Sequence, residues 1–287
     1  MAPQILALLS AFSFASFTIC ARLGLNDSTP ITATFISLSV RTVALWSAVF
    51  LTGGIPKVEP IAVVLVVILG TIQTVTSLLT FTGIYRIGAS HSEPLRNSYP
   101  LWSAILAIAI LHEQAGFAIL MGTILVVAGV TLISWRPAVI TSAYRRWDVF
   151  FPLAAAFLAG VAFPIRRYAL TISNEPLFFA AVIAVVPFLC FTVFLLMPTA
   201  RGPLHCSRSV LALLVAAGCF EALGALLAMM ALSVGRVVVV SPIVATTPLW
   251  TLIMTLVLLR GQERVSRRTV LATACVVGGT IAINLGR

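Results

Sequence analysis

The sequence predicts an all-α integral membrane protein of about ten transmembrane helices, arranged as two inverted five-helix repeats. Charge is too sparse for a water-facing surface, apolar segments of bilayer-spanning length follow one another, and residues recur at a fixed offset. Of 287 residues, 60% are hydrophobic and 9% charged, with a mean hydropathy of +1.12, whereas a soluble domain carries about 25% charged residues. The formal charge of +10 does not indicate nucleic acid, because the Arg residues stand singly or in pairs between apolar runs. Cys20, Cys190, Cys206, Cys219 and Cys275 include no Cys-x-x-Cys pair and are expected to pack rather than bind metal.

Apolar stretches between charged, Pro- or Gly-containing breaks place helices at 4–24, 31–52, 61–86, 89–111 and 115–134, then at 149–170, 176–197, 209–234, 237–259 and 267–285. Each approaches the roughly 20 apolar residues that cross a hydrocarbon core. The first run lacks a Lys/Arg-rich start and a small-x-small cleavage site, so it is expected to be a retained helix. Only 136–148, with Pro137, Arg145 and Arg146, is long enough to be a linker. It divides the chain into units 1–135 and 149–287.

The units repeat. Pro100-Leu101-Trp102 recurs as Pro248-Leu249-Trp250, a shift of 148, and at that shift Gly70 meets Gly218 and Gln73 meets Glu221. Ser92-Glu93-Pro94 likewise falls on Val240-Ser241-Pro242. Cys20-Ala21-Arg22-Leu23-Gly24-Leu25 resembles Ile165-Arg166-Arg167-Tyr168-Ala169-Leu170 at a slightly smaller shift. An odd number of spans per unit makes the second unit enter the membrane from the opposite side.

Each unit resembles the EamA unit of the drug/metabolite transporter superfamily, over nearly the whole chain. The resemblance rests on a small-and-aromatic first helix (Ala11 to Leu25), on Arg41 in Ser39-Val40-Arg41-Thr42-Val43-Ala44, and on Pro100 followed thirteen residues later by Glu113. The second unit departs from it: Gly261 stands where the Glu is expected, Glu263 lies two residues on, and no Arg matches Arg41. The resemblance implies a multi-pass protein of the cell inner (plasma) membrane with cytoplasmic termini, exporting amino acids or related metabolites. Basic residues point the other way for the termini, since most of them follow odd-numbered helices, among them Arg22, Arg86, Arg201 and Arg268.

An ionised side chain at the bilayer centre costs about 2.5–3.5 kcal/mol on insertion scales, so intramembrane polar residues mark the candidate site. Glu93, Arg96, Asn97 and Pro100 fall at i, i+3, i+4 and i+7 and share one face of the fourth helix. As a substrate wall, Arg96 attracts a carboxylate or phosphate and Glu93 an amine or proton; as a structural feature, the two form a local pair. Arg41 has no acidic neighbour at helical spacing, so its counter-charge comes from Glu93, Glu221 or substrate. Glu93, Glu221 and Gln73 are the coupling candidates. Trp102 and Trp250, with Tyr99 and Phe163 near them, are expected to shape a ligand pocket. Trp46, Trp135 and Trp147 lie near helix ends and are read as interfacial anchors. Glu113, beside His112, is expected to cap the fifth helix. Pro94, Pro100, Pro242 and Pro248 are read as matched kinks inside helices and as hinges. Gly122, Gly129, Gly278 and Gly279 suit close helix contact within or between protomers.

The expected function is secondary transport by alternating access, with proton coupling as one energy source. The alternatives are translocation of a lipid-linked or amphiphilic substrate and a non-transport membrane role. No phosphate-binding loop occurs, and His91, His112 and His205 are scattered without a hydrolase or metalloprotease motif, so no enzyme activity, cofactor or metal is expected. The expected partners are a small-molecule substrate and the lipid bilayer, with no nucleic acid, the protein acting as a monomer or homodimer.

Overall fold

The computed structural model describes residues 2–134, 146–196, 207–258 and 267–286. Most of the linker, with Trp135, and also His205, Cys206, Gly261 and Glu263 lie outside the described residues. Within them the chain is helical, without a strand: α1 (Pro3–Gly24), α2 (Pro30–Leu51), α3 (Pro60–Ile87), α4 (Ala89–Arg96), α5 (Tyr99–Leu111), α6 (Phe117–Ser134), α7 (Phe150–Ile172), α8 (Pro176–Leu196), α9 (Arg208–Val234), α10 (Val237–Val244), α11 (Thr247–Leu258) and α12 (Arg267–Leu285).

Helix starts are written locally. α1, α2, α3 and α8 begin on proline, whose missing N–H is one that a helix start leaves unpaired in any case. The Thr29 and Ser207 hydroxyls accept the N–H groups of Thr32 and Val210, capping α2 and α9. Among the described residues, nine segments are long and apolar enough to cross a membrane, one of them, Val237–Val257, joining α10 to most of α11. Val43, Phe81 and Phe117 present 64%, 64% and 80% of their surface outward. Such an apolar exterior is stable against lipid, where the backbone must be satisfied within its own helix.

The helices predicted at 89–111 and 237–259 are both broken, into α4 and α5 and into α10 and α11. Proline is the cause. Pro100 and Pro248 have no N–H for the carbonyl four residues earlier, and those carbonyls belong to Arg96 and Val244, the last residues of α4 and α10. Pro100 and Pro248 therefore stand in the first turn of a new helix rather than at a kink inside a continuous one. Pro94 and Pro242 do lie inside their short helices.

Packing obeys an exchange of the two halves. α1 packs on α9 and α7 on α3; α2 on α9 and α8 on α3; α1 on α11 and α7 on α5; α1 on α10 and α7 on α4. Each second contact is the first with its halves swapped. The matched glycines behave likewise. A Cβ on Gly70 would fall 2.7 Å from the Val186 side chain, and one on Gly218 would fall 2.6 Å from that of Val40. Along the α6–α12 seam, a Cβ on Gly122 would meet the Gly279 carbonyl at 2.6 Å and one on Gly279 the Gly122 carbonyl at 2.6 Å. These glycines thus serve a contact within the chain, whereas Gly278 faces open space.

The exchange is incomplete, and one unmatched contact joins the half-helices themselves. α5 packs against α10, with the Ser103 and Ser241 hydroxyls hydrogen-bonded to each other at a buried crossing. The swapped partners, α11 and α4, make no comparable contact among the described residues. The α5–α10 end carries both termini. A Cβ on Gly235, just before α10, would meet Pro3, and Gly286 lies against Ala118 and Ile119.

Candidate functional site

Three polar residues from three helices meet in the core. Arg41 on α2, only 3% exposed, gives Nη1 to Glu221 Oε1 on α9 at 2.6 Å. With its amide oxygen turned to the guanidinium, Gln73 on α3 accepts from Nη1 at 2.9 Å and Nη2 at 3.2 Å. Of the counter-charges open to Arg41, the structure selects Glu221. Gln73 and Glu221 are repeat equivalents, so the two halves clasp one unmatched cation between matched positions.

The cluster extends toward the break between α4 and α5. Arg166 on α7 lies close enough to Arg41 for the two charges to repel, and it also interacts with Tyr99. Tyr99, the first residue of α5, interacts in turn with Arg96. Phe163 holds the middle: its ring stacks on Tyr99 at 5.6 Å and 14°, and the Arg166 guanidinium lies 5.5 Å from its centroid. Arg96 gives Nη2 to Glu93 Oε2 at 2.9 Å and Nε to the same oxygen at 3.2 Å, the two side chains each 32% exposed. A polar track thus runs from Glu93 and Arg96 past Tyr99 and Arg166 to Arg41, Gln73 and Glu221.

Other candidates hold the frame. Asn97 is buried and gives its amide to Ser134 Oγ at 3.0 Å, tying the helix break to the end of α6. Trp102 and Trp250 make matching ring contacts in the two halves rather than one shared contact. Trp102 meets Phe157 edge-on at 5.5 Å, and Trp250 meets Phe12 in the same way at 5.7 Å. Trp46 packs on Phe178 of α8 rather than projecting as an anchor, while Trp147 is 83% exposed. Glu113 caps α10, not the helix after it: Oε1 and Oε2 accept the N–H groups of Val237 at 2.9 Å and Val238 at 3.0 Å. A loop carboxylate reaches whichever helix start is nearest in space, and that is invisible in spacing. A hollow of about 370 Å³ between Lys57, Glu59, Ser173 and Glu175 lies about 20 Å of helix rise from Gln73, so it is a loop notch outside the polar track.

The basic residue missed by sequence reasoning is Arg166. In the sequence it resembles a helix-end residue, paired with Arg167, yet α7 continues to Ile172 and the two diverge. Arg167 gives Nη1 to the Leu232 and Ser233 carbonyls at 2.7 and 3.0 Å, closing the C-terminus of α9. Arg166 turns to the core. The signal was there: Arg167 matches Arg22 of the first unit, and Arg166 falls on Ala21.

Comparison with known proteins decides the family. The sequence model of the EamA-like transporter family matches residues 1–135 and 146–285. The chain belongs to the EamA-like transporter family. No curated protein matches it. A crystal structure, titled only as that of a protein, superposes on this EamA-like transporter with a TM-score of 0.82 at 13% identity. The match covers 99% of this chain and 96% of that chain, and it shows the fold alone. Among the described residues no cluster of His, Cys, Asp or Glu has the makings of a metal site. Family membership makes the chain a multi-pass membrane transporter of the drug/metabolite type.

Proposed function

We propose that this EamA-like transporter is a secondary exporter of small metabolites such as amino acids in the cell inner membrane, working by alternating access between two inverted five-helix repeats. On this reading α4–α5 is the tenth span beside the nine apolar segments, and units 1–135 and 149–287 are the repeats, joined by 136–148. The observation that carries the proposal is the unmatched contact between half-helices, α5 on α10 without α11 on α4 among the described residues. In an inverted repeat, a contact made on one face and missing on the other describes a molecule closed at one end and open at the other. Here Ser103 and Ser241 close the end that bears the termini, and their repeat equivalents, Thr251 and Glu93, mark the open end. Exchanging which pair of half-helices packs would carry the polar track from one face to the other.

Of the coupling candidates, Glu93 suits proton exchange better than Glu221. It is 32% exposed with Arg96 as its ion-pair partner, while Glu221 is clasped to a buried guanidinium. The test is a proteoliposome flux assay with labelled amino acids, with and without a pH gradient, comparing wild type with Glu93→Gln and Glu221→Gln. The expected result is gradient-stimulated flux that loses its pH dependence in Glu93→Gln. Flux no greater than in empty liposomes for every amino acid would remove the substrate class, and unchanged pH dependence in both variants would remove carboxylate coupling.

A further inference from the structure

We infer that Arg166 is an anion subsite, holding the single negative charge of a carboxylate-bearing substrate. This rests on the transporter reading of the same track and adds the chemical class it accepts. Among the described residues Arg166 makes no ion pair and no hydrogen bond, and its buried Nε lacks any acceptor. The other two cations of the track have carboxylate partners, Arg41 in Glu221 and Arg96 in Glu93, although Arg41 Nε also lacks an acceptor. Arg166 is therefore the track's one unmatched charge. A half-buried cation beside a second cation, with no carboxylate partner of its own, raises the energy of the empty protein. Such an arrangement persists where something else supplies the counter-charge.

The surroundings say what that is. The Arg166 guanidinium carbon lies 5.5 Å from the Phe163 ring centroid, and that ring is stacked on Tyr99, so the cation is held against an aromatic face rather than against a carboxylate. A carboxylate matches one guanidinium in both charge and fork geometry. A phosphate dianion would need a second unmatched cation, and Arg41 is committed. Tyr99 also opens α5, whose helix start adds positive partial charge on the same side.

The test separates this subsite from the transporter reading. Purified protein is melted in detergent with free amino acids, their C-terminal amides or inorganic phosphate, and the same amino acids and amides are followed in proteoliposomes, for wild type, Arg166→Lys and Arg166→Gln. Without solute, Arg166→Gln should melt higher than wild type, because the unmatched cation is gone. A structural tie would melt lower. Amino acids, and neither amides nor phosphate, should raise the melting temperature of wild type. Arg166→Gln should bind them at least tenfold more weakly, and Arg166→Lys should fall between. Equal binding of acid and amide by wild type, equal binding of acid by wild type and Arg166→Gln, or a response to phosphate alone would overturn the subsite whether or not flux is seen. Arg166-dependent binding without flux would overturn the transporter reading and leave the subsite standing. Neither binding nor flux would overturn both.

Discussion

At the scale of single residues, the track separates charges that hold the fold from the one that does not. Arg41 is buried, and its partners arrive from α3 and α9. Removing one member of a buried pair costs about 3–5 kcal/mol, because the survivor keeps its desolvation penalty. Glu221→Ala is therefore expected to melt far below wild type in detergent, and the double change Arg41→Met with Glu221→Leu to recover much of the loss. A Glu221→Ala protein that melts with wild type would show that Gln73 alone satisfies Arg41. Arg167 and Arg268 do a different job, giving hydrogen bonds to the terminal carbonyls of α9 and α6. Some basic residues are thus spent on helix ends rather than on a membrane face, which weakens them as markers of orientation.

At the scale of elements, the half-helices are the informative units. Each ends where a proline withholds the N–H that the last residue of the preceding piece needs. α10 is buried along its whole length and is pinned by the two oxygens of Glu113 at its N-terminus. Losing a cap of this kind costs about 0.5–2 kcal/mol. Glu113→Ala is expected to lower stability by that order and to raise labelling of a Ser241→Cys probe by a soluble thiol reagent; unchanged labelling would show that α10 stays seated without the cap. The α6–α12 seam gives a sharper contrast. Gly279→Val should prevent assembly, since even a Cβ would lie 2.6 Å from the Gly122 carbonyl, while Gly278→Val meets open space and should be accepted. Comparing the two by expression and monodispersity tests whether that seam lies within the chain.

At the scale of the whole molecule, the two halves share much of their packing scheme, and the half-helices differ at the crossing of α5 and α10. Ser103→Cys with Ser241→Cys, in a background with the five native cysteines replaced, places a thiol pair across the closed end. Oxidation should stop flux and reductant should restore it, because closure at that end has to be released in every cycle. Undiminished flux through the fully cross-linked protein would exclude alternation at α5 and α10.

The sequence by itself determined the apolar spans, though not the breaks after Arg96 and Val244, and with them the two units, the family and the membrane setting, because each is written in local composition or in a repeat. It also supplied Arg41, Gln73 and Glu221 as separate candidates. The tertiary structure alone decided that these three meet, that Asn97 bonds to Ser134, that the two tryptophans make separate, matching ring contacts and that Glu113 caps α10. It alone moved Arg166 from a helix flank to the site. The physical reason is that an apolar helix carries little record of its rotation: with lipid on one side and protein on the other, both faces are hydrophobic. Which face of a helix turns inward is set by neighbours that spacing does not name.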